Sequence, residues 1–260
     1  MNLSPAFLGV VEGMTEFLPV SSTGHLILFV DLLKFDGPPG HVFEVVIQLG
    51  AILAIVVLYW RKLLAVLRHL REAWAQHFVR NVLLAFLPAM VIGAFAHDAI
   101  KTYLFNPTTV ALALLFGGLA ILAIERVKPV PRIASTEDMG WRTALAIGFV
   151  QCLAMIPGTS RSGATIMGAL MCGVERKASA EFSFFLAIPT MAAATVYDVY
   201  KSRHELSLEG MDQIAVGFVV SFVVALMVVR WLVGFVQHHG FAPFAWYRIV
   251  LGVAILALAG

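Results

Sequence analysis

The 260 residues are 60% apolar and only 13% charged, against roughly 45–50% and 25% in soluble domains, and mean hydropathy is +0.88. So few charges cannot cover a water-exposed surface, which excludes a secreted enzyme or a nucleic-acid binder and makes this an integral membrane chain. Net charge is only +2, from 18 Lys and Arg against 16 Asp and Glu, so placement along the chain matters more than the total.

The first apolar region, residues 5–18, stops at Pro19 and gives way to Ser21, Ser22, Thr23 and Gly24 before an apolar run to Val30. Ser4 reads as an N-cap with Pro5 at N1. Helices of about 14 and 10 residues rise roughly 21 and 15 Å, short of a roughly 30 Å hydrocarbon core. They read as a re-entrant pair that returns to its starting side. Charge-free runs then mark spans at 45–60, 81–100 and 102–124.

The second half repeats this layout. Residues 143–156 stop at Pro157-Gly158, pass through Thr159, Ser160, Arg161 and Ser162, and resume to Cys172. Spans follow at 182–197 and 213–229, with a final one from near Phe244 to Gly260. GVVEGMTEFLPVSSTG (9–24) matches GFVQCLAMIPGTSRSG (148–163), and GGLAILA (117–123) matches LGVAILA (251–257). The expected fold is an all-α polytopic membrane protein with six transmembrane helices plus two re-entrant helix pairs. It forms a single domain over residues 1–260, duplicated as halves of about 1–125 and 140–260. Three crossings per half invert the second copy, so the two polar loops should meet near the midplane.

One set of loops carries twelve Lys and Arg: Arg61, Lys62, Arg68, Arg71, Arg80, Arg126, Lys128, Arg132, Arg142, Arg176, Lys177 and Arg230. The other carries Lys34, Lys101, Lys201 and Arg203. The positive-inside rule puts the first set in the cytoplasm, so the termini and the first loop face outward. Cys152 and Cys172 read as isolated buried thiols.

Glu12 and Glu16, at i and i+4, leave one face of the first helix, and ionisable groups inside a membrane are costly and usually functional. Such a pair either shares a proton or holds a cation, unless both snorkel to the surface. The hydroxyls of Ser21, Ser22 and Thr23, with Gly24, open a helix whose N-terminus suits an anion. His25 is either a proton carrier or a ring satisfied by a carbonyl. Ser160, Arg161, Ser162, Gly163 and Thr165 form the second helix start, where Arg161 suits a phosphate or an ion pair with Glu12 or Glu16. Together these residues describe phosphate chemistry on a membrane-embedded substrate. Glu44 and Glu181 read as first-turn carboxylates of long helices, Gln48 as a candidate for the pocket wall, and His238-His239 as a solvated loop end rather than a metal site.

EGMTEFLPVSSTGHLI (12–27) and PGTSRSGATI (157–166) resemble the two signature motifs of the undecaprenyl-pyrophosphate phosphatase family of the bacitracin-resistance type, and the resemblance extends over essentially the whole chain. It implies hydrolysis of undecaprenyl pyrophosphate to undecaprenyl phosphate and inorganic phosphate. That reaction recycles the lipid carrier for cell-wall polymers in the bacterial inner membrane, with a divalent cation, Mg²⁺ or Ca²⁺. Carried over, it points to Glu12, Glu16, Ser22 and His25 in the first motif and Ser160, Arg161 and Thr165 in the second. Arg161 and the helix starts would neutralise the pyrophosphate, and Glu12 and Glu16 would hold the cation or supply a base. Ser22 is the candidate nucleophile, with direct attack by water as the rival. The site would open to the periplasmic or outer face. A homodimer is compatible with the sequence, and a transporter or flippase of a polyprenyl phosphate lipid is the alternative function.

Overall fold

The computed structural model describes residues 3–35, 42–127, 130–201 and 210–259; Lys128 and Arg203 of the charge tally lie outside them. The first broken region is α1 (Ser4–Thr15) and α2 (Ser22–Leu32), and the second is α7 (Trp141–Gln151), a 3-10 turn (Cys152–Met155) and α8 (Arg161–Met171). Each break centres on a proline, Pro19 or Pro157, which lacks the N–H to continue a helix and restricts the residue before it. At Gly158, φ is +93°, and a Cβ would sit 2.5 Å from the Val110 carbonyl oxygen, so only glycine fits that turn.

The long elements are α3 (Val42–Leu58), α5 (Ala73–Leu104), α6 (Pro107–Val127), α9 (Arg176–Lys201), α10 (Met211–His239) and α11 (Ala242–Ala259). Within the described residues, four helices are long and apolar enough to cross a membrane: Ala73–Ala96 of α5, and α6, α9 and α10. A fifth is counted if α3 and α4 (Trp60–Arg68), bent by 67° at Tyr59, form one broken span. The described part of α11 is apolar but shorter.

Several boundaries differ from expectation. Lys101 does not divide α5 from α6, because one charged side chain leaves the backbone ladder intact. The divide falls at Asn106-Pro107, where Asn106 Oδ1 accepts from Thr109 N–H at 2.8 Å, a helix start with proline at N1. Helix α1 begins one residue early, with Ser4 helical and Leu3 at the N-cap. Glu44 is in the first turn of α3. Glu181 is not in the first turn of its helix, since α9 already starts at Arg176, where the Ser179 N–H bonds the Glu175 carbonyl. Both cysteines are free but only half-buried, and Cys152 Sγ donates to the Gly148 carbonyl at 3.4 Å. His238 and His239 are exposed in the last turn of α10.

The broken pairs are held crosswise: α1 packs along α10, α7 along α5, while α3 meets α9 and α6 meets α11. The main apolar core joins Phe17, Ile55, Ile166, Phe184, Val229 and Phe244 from five of these elements and the first break. The first break is thereby enclosed by protein, and Pro157, Gly158 and Ser160 of the second are buried as well, the condition under which irregular backbone is tolerated at membrane depth; the 3-10 turn before them has no buried residue.

Candidate active site

Glu16 closes α1 in helical conformation, its N–H bonding the Glu12 carbonyl. Across the break, α2 starts at Ser22, capped by Ser21, whose Oγ accepts from the Gly24 N–H at 3.3 Å. This brings Ser22 Oγ within 2.5 Å of Glu16 Oε2, to which it donates. Helix α8 starts in the same way. Ser160 Oγ accepts from the Gly163 N–H at 3.1 Å, and Arg161 Nη2 reaches Glu16 Oε1 at 2.8 Å. One carboxylate therefore binds a hydroxyl from the first break and a guanidinium from the second. Charge-assisted hydrogen bonds of this kind are shorter and stronger than neutral ones.

Arg161 is steered from behind. Its Nη1 donates to the Ser183 carbonyl at 3.0 Å and its guanidinium lies over the Phe17 ring, while Thr165 Oγ1 donates to Ser183 Oγ at 2.6 Å. Its Nε has no partner among the described residues. A cavity of about 370 Å³ adjoins the cluster. Glu16, Ser21, Ser22, Thr23, Ser160 and Arg161 line it, as does Gln48; Phe86, Met90, Met155, Met191 and Tyr197 add apolar wall.

Other sequence-derived candidates do not line the cavity. Ser162 donates to the Leu18 carbonyl at 2.8 Å, tying α8 to the first break. Gly24 and Gly163 supply the capped N–H groups, Thr165 supports Ser183, and Gly163 faces a separate apolar groove. His25 is engaged at both nitrogens. The Ser21 carbonyl, 2.7 Å from Nδ1, can only accept, so Nδ1 carries the proton, and a neutral ring then accepts at Nε2 from the Tyr247 hydroxyl at 2.6 Å.

Glu12 is fully buried, and neither carboxylate oxygen has a hydrogen-bond partner among the described residues. Four lone-pair sites are thus free one helical turn from Glu16. These hard oxygen donors fit a divalent cation. No group of three or more His, Cys, Asp or Glu converges among the described residues, so the fit is to a cation such as Mg²⁺ that takes one or two carboxylates and completes its shell with water and phosphate oxygens.

Arg248, in α11, is a residue that the motif reading misses. Only 1% exposed, it donates to the carbonyls of Pro19 (3.1 Å), Gly158 (3.1 Å), Thr159 (2.8 Å), Ala113 (3.0 Å) and Leu114 (3.4 Å). All five of its N–H donors are used, so one side chain ties both breaks to α6. A Cβ at Gly117 would collide with Arg248 Nη2, hence the glycine. The available signal was the lone charge within the last apolar run.

Broken helices around a buried carboxylate, serine and arginine define a multi-pass, all-helical membrane protein with a protein-enclosed polar site. Residues 5–254 match the family described as bacitracin resistance protein BacA, and the chain belongs to that family. It is 59% identical over 257 residues to the undecaprenyl-diphosphatase of Rhizorhabdus wittichii, covering 98% of this chain and 96% of the relative. It is 56% identical to that of Sphingopyxis alaskensis, over 94% and 93% of the two chains. Identity to undecaprenyl-diphosphatase 2 of Paramagnetospirillum magneticum is 54%, over 98% and 99%.

Proposed function

We infer that this protein is an undecaprenyl-diphosphatase, hydrolysing undecaprenyl pyrophosphate to undecaprenyl phosphate and inorganic phosphate. The observation that carries the chemistry is Glu16, which joins Ser22 at 2.5 Å and Arg161 at 2.8 Å at the edge of a cavity with apolar walls. A phosphorylated head would sit at the polar end and the polyprenyl tail along the apolar side, where each buried CH₂ contributes roughly 0.8 kcal/mol.

In this reading Glu16 takes the Ser22 proton as Ser22 Oγ bonds the terminal phosphorus. The bridging P–O bond breaks and the lipid monophosphate leaves. Water then cleaves the phosphoserine, releasing inorganic phosphate and restoring the hydroxyl. Arg161 shares its fork between Glu16 and the phosphate oxygens, stabilising charge where it develops. Glu12 and Glu16 would hold the divalent cation, which supplies further neutralisation of the pyrophosphate. Arg248, Thr165, Ser162 and the Ser21 and Ser160 caps hold the two breaks in register. His25 orders the first break through the Ser21 carbonyl and Tyr247, and a role as proton carrier would require it to release one of these partners.

The inverted duplication is part of the same proposal. It is supported by the sequence match, the paired caps and the crosswise packing of α1 on α10 and α7 on α5. Six crossings follow if α3–α4 and α11 are counted as spans. The Lys and Arg asymmetry supports an inner-membrane protein whose site opens on the periplasmic or outer face. Its apolar surface leaves room for a second copy as well as for lipid.

Purified protein in detergent, with no gradient, should release phosphate from undecaprenyl pyrophosphate and lose that activity with chelator. A lipid translocator would leave the substrate intact, so the absence of phosphate release would overturn the hydrolase reading.

A further inference from the structure

Two consecutive residues of α11 hold the first break. Arg248 takes the Pro19 carbonyl at 3.1 Å, and the Tyr247 hydroxyl lies 2.6 Å from His25 Nε2. Tyr247 is 48% exposed, whereas His25 is buried and does not line the cavity. Because His25 Nδ1 must donate to the Ser21 carbonyl at 2.7 Å, the single Tyr247 proton goes to Nε2 and occupies the nitrogen that a proton carrier would use.

The Ser21 carbonyl belongs to the peptide that joins Ser21 to Ser22. Whatever holds that carbonyl therefore orients the backbone from which Ser22 Oγ reaches Glu16. The peptide follows a residue at φ +72°, a conformation that persists only where its surroundings impose it. The second break shows what the ring adds. Extending the match of 9–24 with 148–163 by one residue sets Arg161 opposite Ser22 and Ala164 opposite His25. Ser160 makes the same turn, at φ +75°, with its carbonyl accepting from the Ala164 N–H at 2.9 Å and from no side chain among the described residues. In the first break the corresponding His25 N–H is 3.3 Å away and the ring is the closer donor. The turn itself does not need a histidine, and the copy that has one is the copy that carries the Ser22 hydroxyl.

We propose that Tyr247 is a positioning residue for Ser22: its hydroxyl holds the His25 ring protonated at Nδ1, and that N–H fixes the Ser21–Ser22 peptide and the approach of Ser22 Oγ to Glu16. The inference rests on the phosphatase reading with Ser22 as nucleophile, and it makes His25 a fixed donor that passes no proton to the substrate.

Steady-state phosphate release from undecaprenyl pyrophosphate by the purified full-length protein tests this, with nitrogen-15 spectra of the histidine rings as a readout that needs no turnover. Tyr247→Phe keeps the aromatic ring and removes only the hydroxyl. It should lower kcat roughly 3- to 10-fold, the scale of one neutral hydrogen bond, and leave KM unchanged, because no group that touches the substrate is altered. His25→Asn, whose amide N–H can stand where Nδ1–H stood, should match Tyr247→Phe, and the double variant should lose nothing more, since Tyr247 acts through the ring. His25→Gln, whose amide stands in place of Nε2, should be far weaker. In the spectra, the signal that Tyr247→Phe shifts should be that of a neutral ring protonated at Nδ1. Tyr247→Phe, read by kcat and by its spectrum, carries the test if the histidine variants do not fold. A wild-type kcat in Tyr247→Phe, additive losses in the double variant, or an asparagine variant as inactive as the glutamine one would overturn the proposal. A wild-type protein that shows the Nδ1-protonated ring yet releases no phosphate would instead refute the phosphatase reading alone.

Discussion

Ser21 and Ser160 adopt the same rare backbone conformation, φ +72° with ψ +96° and φ +75° with ψ +118°, and each accepts from a glycine N–H three residues on. Non-glycine residues at positive φ cost of order 1–3 kcal/mol, and here the cap hydrogen bond offsets part of that. Glycine would remove the strain but lose the cap, whereas alanine would keep the strain and lose the cap. Ser21→Ala and Ser160→Ala should each lower stability by about 1 kcal/mol, with the glycine variants nearer wild type. Thermal unfolding in detergent checks the order, and alanine variants as stable as wild type would remove the capping argument.

Ser22→Ala separates the covalent from the direct-water route. If Ser22 forms the bond to phosphorus, turnover should vanish while lipid binding persists. If water attacks, the loss should be only the roughly 1–3 kcal/mol of barrier associated with one missing hydrogen bond. Glu16→Gln should be severe on both routes, because Glu16 serves Ser22 and Arg161 together. Phosphate release at saturating divalent cation reads both variants, and retained activity in Glu16→Gln would shift the base to Glu12.

Arg161→Lys should be nearly as damaging as Arg161→Ala. The guanidinium reaches Glu16 and Ser183 from different nitrogens and keeps Nε free, a fork that an ammonium cannot reproduce. Near-normal turnover in the lysine variant would mean that a point charge suffices.

Arg248→Lys offers at most three donors to five carbonyls; those of Ala113 and Leu114 keep their helical N–H partners within α6, and each break carbonyl left without a donor costs about 1–3 kcal/mol. It should lose activity and several degrees of Tm while still inserting in the membrane, and Arg248→Met should be worse. Activity assays paired with unfolding curves decide this; a fully active lysine variant would refute the clamp.

Orientation is checked by labelling. A cysteine at Gly210 should react with a membrane-impermeant reagent in spheroplasts, and one at Ala134 only after permeabilisation. The reverse pattern would turn the site to the cytoplasm.

The broken helices were legible because Pro19 and Pro157 interrupt apolar runs too short to span, and Glu16, Ser22 and Arg161 because polar groups in such runs are expensive. Arg248 was not, since its partners are backbone carbonyls, which leave no trace in residue identity. The bend at Tyr59 falls where the charge-free run of 45–60 ends, and beyond it the amphipathic stretch with Arg61 and Lys62 turns aside as α4.

The Arg248 contacts also impose an order on assembly. Pro19, Gly158 and Thr159 are synthesised long before α11, and until that helix arrives their carbonyls lack the donor that holds both breaks together. A chain emerging from the ribosome would thus carry Glu16, Ser22 and Arg161 before it carries the donor that holds them in register, and the two breaks would be locked together only once α11 docks.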